Sequence, residues 1–176
     1  MSELPTSNNT LAPHYYWIVG VWLLWVIIGF AYLVNQRLVQ FDPTHQLLNV
    51  TEQQLVAQVQ QQNNQLPQIY HLVDENCHCT SLLKEHREQI NRAAIEDGFN
   101  IVELDVSDSK IASLIPATPA IVIVGKNAQL LYVGPYATGL DCSADNSLVD
   151  VVLSNYRQGF AAPTVIDDAT GCYCRR

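Results

Sequence analysis

Positive charge is scarce in this chain. Nine Lys and Arg stand against seventeen Asp and Glu, a formal net charge of −8 over 176 residues. A nucleic-acid partner needs a basic face to neutralise phosphates, so the composition argues against that function class. It argues equally against a polybasic patch on a membrane surface. What the negative charge does provide is dispersion in water. Charge and proline are both missing from "YYWIVGVWLLWVIIGFAYLV", Tyr15 to Val34, which holds all three tryptophans. The marks of a cleaved leader are missing too: there is no basic start, no short apolar core and no small-x-small cleavage site. About 20 apolar residues suffice to cross a hydrocarbon core as a helix. Tyr15, Tyr16 and Trp17 at one end and Tyr32 at the other suit interfacial anchors. The run is therefore expected to be an uncleaved, single-pass transmembrane helix over 15–34, after a short tail over 1–14. A buried core helix is the alternative, and bulky residues on every side count against it.

Orientation rests on two opposed signals. The positive-inside count finds no Lys or Arg before the span and one, Arg37, just after it, which favours a cytoplasmic C-terminal part. Paired cysteines favour an oxidising compartment. Given more weight, the cysteines place the soluble part outside the cytoplasm.

Residues 35–67 read as a linker. "FDPTHQLLNV" contains a proline turn. Thr51 and Gln54 form a capping-box pattern, and Leu55, Val56 and Val59 make the narrow apolar stripe of a short amphipathic helix. From Gln68 the pattern changes. "QIYHLVD" reads as a strand, and "TSLLKEHREQINRAAIEDG" as a helix with Leu82, Leu83, His86, Ile90, Ala93 and Ala94 inward and Gly98 as its stop. "FNIVELDVS" is a second strand and "DSKIASLIPA" a short helix or turn. "TPAIVIVG" and "AQLLYVG" read as a hairpin around "KN". "SADNSLVDVVLSNYRQGF" reads as a last helix, capped by Ser143 or Asp145, with Leu148, Val151, Val152 and Tyr156 on its apolar face. The order predicts a sheet with parallel and antiparallel parts, covered by helices on both faces.

Four of the five cysteines form two Cys-x-Cys pairs, Cys77/Cys79 and Cys172/Cys174. The first pair lies where a strand meets the following helix. Free N–H groups and the macrodipole stabilise a thiolate there. Cys77, before the helix, is expected to be the exposed nucleophile, and Cys79 to resolve the mixed disulfide.

Here the chain resembles the thioredoxin superfamily. The element order over 68–160 fits, as does the cysteine pair after the first core strand. "ATPAIVIVGKNAQLLYVG" looks like that family's cis-proline segment and closing hairpin, with Pro119 lying 42 residues after Cys77. The resemblance implies a three-layer α/β/α sandwich with a mixed sheet. It also implies a cis Thr118–Pro119 bond beside the cysteines, whose backbone pairs with an incoming substrate strand. With its anchor, the chain looks like a membrane-tethered bacterial thioredoxin-like protein. The family's buried acid aligns with His71, which becomes the candidate to accept a proton from Cys79; an ordinary strand histidine is the other reading. Asp74 is closer in sequence and reads as a solvated loop acid. Two departures stand out. The motif is Cys-x-Cys rather than Cys-x-x-Cys, so a Cys77–Cys79 bond would be strained and easily reduced. Asn76 replaces the tryptophan that commonly precedes the first cysteine.

Three functions remain open on these residues. The first is a thiol–disulfide oxidoreductase that exchanges with protein thiols or disulfides, binds the membrane through 15–34 and needs no cofactor. In that reading Cys172 and Cys174, on a tail over 161–176, form a candidate second redox pair. The second is a copper or zinc module or metallochaperone using Cys77, His78 and Cys79, with Cys172 and Cys174 distal, although the spacing is not that of zinc knuckles. The third is a structural domain with cysteine staples, such as Cys142 to Cys172 or Cys174. An odd cysteine count leaves at least one unpaired within the chain.

Overall fold

The computed structural model describes residues 13–61, 65–106, 110–139 and 147–175. The chain divides into two compact units, 1–36 and 37–176.

The described part of the first unit is helical: helix α1 runs over Pro13–Arg37 and ends at the first residue of the second unit. Twenty-five residues at about 1.5 Å rise each span about 38 Å. It is long and apolar enough to cross a membrane. Trp17, Trp22 and Trp25 are all exposed, so the alternative of a core helix does not hold.

The second unit is a mixed α/β domain. Its sheet comprises β2 (Gln68–Val73), β3 (Asn100–Asp105), β5 (Ala120–Val124), β6 (Leu130–Pro135) and β7 (Thr164–Val165), in the order β3-β2-β5-β6-β7. β2 runs parallel to β3 and antiparallel to β5; β5 runs antiparallel to β6, and β6 parallel to β7. Side chains alternate across a strand, so β2 feeds two cores. Ile69 packs with Ile90 and Ala94 of α4 (Lys84–Glu96) and with Val149 and Leu153 of α5 (Leu148–Arg157). Tyr70 and Leu72 pack on the other face with Leu55, Val56 and Val59 of α2 (Glu52–Gln60). The expected capping box at Thr51 is present, with both reciprocal bonds at 3.2 Å.

Several expectations change. The stretch read as a linker belongs to the folded unit: Phe41, Asp42 and Leu47 are buried, because the sheet face under α2 needs an apolar cover. The Asp42 carboxylate accepts from Leu47 N at 2.7 Å and from Thr44 Oγ1 at 3.2 Å, closing the proline turn. The helix after Cys77 breaks at Leu83 into α3 (His78–Leu82) and α4, and Leu82 turns outward. The α5 face is rotated by one residue: Val149, Val152 and Leu153 are buried, while Val151 is exposed. Its cap is Ser147, which accepts from Asp150 N at 3.2 Å; the expected caps Ser143 and Asp145 lie outside the described residues, as does Cys142.

The tail also folds. β8 (Thr170–Gly171) pairs antiparallel with β1 (Val39–Gln40), and β9 (Cys174–Arg175) pairs antiparallel with β4 (Ala117–Thr118). Phe41 N donates to Ala169 O at 2.8 Å, and Asp42 N donates to Asp167 O at 3.1 Å. His45 Nδ1 lies 2.5 Å from the Asp167 carboxylate; that contact raises the His45 pKa and lowers that of Asp167.

Candidate functional site

The site is built where β2 ends. Asp74 is not merely a solvated loop acid. Its backbone oxygen accepts from Cys77 N at 3.0 Å and from Thr80 Oγ1 at 2.9 Å, and its carboxylate accepts from Asn76 N at 2.9 Å. This tight turn delivers Cys77 to the start of α3, and one turn onward Thr80 N donates to Cys77 O at 3.0 Å.

The two Cys-x-Cys pairs face one another and are cross-linked. Cys77 is bonded to Cys174 and Cys79 to Cys172, so neither pair is closed on itself. Sulfur atoms of Cys77, Cys79 and Cys174 all lie within 4.8 Å of one another. The expected exposed Cys77 is corrected: Cys77 is only 4% and Cys79 6% exposed, because the returning tail covers both. The structural staples expected from Cys142 to Cys172 or Cys174 are replaced by these bonds.

The Thr118–Pro119 bond is cis. Thr118 carbonyl oxygen lies 3.6 Å from Cys77 Sγ, and Thr118 is the register partner of Cys174. Cys174 thus reaches Cys77 along a strand already paired with the cis-proline segment. The Thr118 side chain is buried, and its Oγ1 has no hydrogen-bond partner among the described residues.

Tyr173, between the tail cysteines, sets their placement. Its ring meets Phe41 edge-on at 5.2 Å, and its hydroxyl donates to Ala137 O at 2.7 Å. Gly171 passes directly beneath it. A Cβ on Gly171 would sit 2.6 Å from Tyr173 Oη and 3.0 Å from Gly139 O. Gly171→Ala is therefore expected to shift Tyr173 and destabilise the domain by about 1–3 kcal/mol, the usual cost of overpacking. Denaturant unfolding measures it, and an unchanged midpoint would contradict this placement of the tail.

His71 lies inside the sheet on the α4 side. Nε2 donates to Asn91 Oδ1 at 2.7 Å, and Nδ1 accepts from the Tyr136 hydroxyl. Burial is the main cause that lowers its pKa to about 4, and burial raises that of Tyr136. The imidazole is neutral and the phenol protonated, which agrees with this direction of donation. Both ring nitrogens are engaged, and Cys79 carries no proton in its disulfide. In this oxidised chain His71 forms a buried polar link between β2, α4 and the end of β6, and its expected role as proton acceptor for Cys79 concerns the reduced chain.

His78 is exposed and is not part of the sulfur cluster. It lines an open groove beside Cys77 with Glu75, Asn76, Ser81 and Lys84. Sequence reasoning missed Phe41, Tyr136, Asn91 and Tyr173. For the disulfides a signal existed: two pairs with identical spacing can bond outer to outer and inner to inner when their chains run in opposite directions.

Residues 44–176 match a family described as a domain of unknown function, DUF6436, and the chain belongs to that family. No match was found among curated proteins or among solved structures.

Proposed function

We propose that this protein is a membrane-tethered, thioredoxin-like thiol–disulfide oxidoreductase, in which the C-terminal strand is the internal exchange partner of Cys77. The observation that carries the reading is the Cys77–Cys174 bond on a strand paired with the segment that leads into Pro119. A thioredoxin-like protein receives its substrate strand on that segment. The order β3-β2-β5-β6, with α4 and α5 on one face and α2 on the other, supports the same topology. The apolar helix α1 anchors the chain in the inner membrane, and the domain lies on the periplasmic side, where disulfides persist.

The exchange balances in two steps. A thiolate of a partner protein dithiol attacks Cys174 Sγ, and Cys77 leaves as a thiolate. The partner's second thiol then attacks its own sulfur in the mixed disulfide and releases Cys174. The partner becomes a disulfide, and two electrons and two protons reside on Cys77 and Cys174. The reverse sequence oxidises the chain and reduces a partner disulfide. Cys174 is more accessible than Cys77, so entry through the tail sulfur meets less cover.

The test begins with cells whose free thiols are blocked during lysis, followed by mass mapping of the linked peptides. The cross-linked pairs should be recovered from cells, which supports the oxidising compartment. The purified full chain in detergent is then given a small dithiol. Cys77–Cys174 should open before Cys79–Cys172, without denaturant, and re-form on addition of a disulfide oxidant. Four reduced cysteines in cells would overturn the periplasmic placement. Bonds that resist the dithiol until the protein is denatured would overturn the redox reading and leave them as staples.

A further inference from the structure

The oxidised chain holds the sulfurs of Cys77, Cys79 and Cys174 in one cluster, with Cys172 bonded to Cys79, and reduction frees four thiols on these two facing segments. We propose that, with both disulfides reduced, Cys77, Cys79, Cys172 and Cys174 form a closed four-sulfur site for one zinc ion. The inference rests on the sulfur geometry and stands whether or not the chain exchanges disulfides with partners.

Zinc in structural sites takes four ligands in a tetrahedron, with Zn–S bonds of about 2.3 Å and hence sulfur–sulfur edges of about 3.8 Å. Three of the sulfurs already lie within 4.8 Å of one another, and the fourth, Cys172 Sγ, is bonded to the Cys79 sulfur. A disulfide holds its sulfurs about 2 Å apart, so opening each bond asks them to separate by roughly 1.7 Å to reach that edge length. Side-chain rotation supplies a movement of that order. The ligands come from two segments that the domain holds together by other means. Tyr173 fixes the tail through Phe41 and Ala137 O, and β1–β8 and β4–β9 pairing brackets it. Reduction therefore need not release the tail. Shielding also suits a closed site, since Cys77 and Cys79 are buried. An all-sulfur tetrahedral donor set selects zinc over hard cations.

On reduction, two disulfides take up four electrons and four protons from a thiol or phosphine reductant and become four thiols. Binding one zinc ion then displaces the four protons, since the thiolate is the ligand. His78 is not a ligand, in contrast to the three-residue Cys77, His78, Cys79 alternative.

The full chain in detergent, reduced anaerobically with a phosphine, is titrated with Co²⁺ as a spectroscopic probe and then with Zn²⁺. One equivalent of Co²⁺ should bind, with the intense ligand-field bands of a tetrahedral thiolate site, and one equivalent of Zn²⁺ should bleach them. The oxidised chain should bind none. Cys77→Ser and Cys172→Ser should each weaken binding by about 100-fold or more, since each removes one of four ligands that together supply the binding free energy. His78→Ala and Cys142→Ser should leave it unchanged. A protection experiment keeps the test decisive if a variant fails to fold: in the reduced wild type, zinc should shield Cys77, Cys79, Cys172 and Cys174 from alkylation. Absence of Co²⁺ binding, more than one equivalent bound, unchanged affinity in Cys172→Ser, or zinc that leaves Cys172 or Cys174 open to alkylation would each overturn the four-sulfur site.

Discussion

Replacing Cys77, Cys79, Cys172 and Cys174 together by serine is expected to cost the domain about 6–7 kcal/mol, far more than removing either disulfide alone. The reason is the nesting of the two rings. The bonds close loops of 97 and 93 residues, one inside the other. In the chain-entropy account, a loop of that length restricts the unfolded state by about 4–5 kcal/mol. Once one bond is in place, the other closes only a short ring through the two Cys-x-Cys turns, which restricts the chain by roughly 2 kcal/mol more. Cys79→Ser with Cys172→Ser should therefore cost about 2 kcal/mol, and so should Cys77→Ser with Cys174→Ser. The four-fold variant should lose much more than the sum of these two, a strong departure from additivity. With total stabilities of about 5–15 kcal/mol, that loss brings the domain near its unfolding limit. Denaturant midpoints of the full chain in detergent measure the set. Two double variants whose losses simply add up to the four-fold loss would show that the bonds do not act on one shared loop.

Acid should weaken the fold through His71. Its pKa falls from an ordinary 6.5 to about 4 on folding, with burial as the main cause. Between these values the unfolded chain binds a proton that the folded chain refuses. Stability is thus complete above pH 6.5 and is lost as pH falls towards 4. Each tenfold difference in proton affinity between the folded and unfolded chain is worth about 1.4 kcal/mol, so the loss reaches about 3 kcal/mol. Unfolding midpoints from pH 8 down to pH 4 should show it. His45, beside Asp167, acts in the other direction. His45 has a raised pKa, so its contribution is present below 6.5 and is lost as pH rises through the folded value. Its imidazole is exposed, and solvent screening keeps that contribution small. His71→Leu should flatten the acid limb, while it lowers stability at pH 7 by leaving the Tyr136 hydroxyl and Asn91 amide without this partner. An acid limb that survives His71→Leu unchanged would place its origin elsewhere.

Local pattern located α1, because an uncharged apolar run carries its meaning without any partner. It located the capping box at Thr51, a bond between residues three apart. It located β2, β3 and the β5–β6 hairpin, because alternation and turn residues act over a few positions. The rotation of α5 was not legible: Val149, Leu148 and Val151 are alike in the chain, and only packing on β6 decides which turns inward. The break at Leu83 was invisible for the same reason.

By itself, the sequence determined an apolar helix followed by an α/β domain, and it marked Cys77, Cys79, Cys172 and Cys174 as the residues with chemistry. Only the tertiary structure decided how they combine. Within each pair the cysteines are neighbours in the chain, so any reading by proximity closes Cys77 on Cys79. The fold instead buries Phe41 and Tyr173 against one sheet face, pairs β9 with β4, and brings Cys174 to Cys77 across 97 residues of chain. Such a contact depends on where two distant segments find their apolar cover, and local pattern holds no trace of a loop that long.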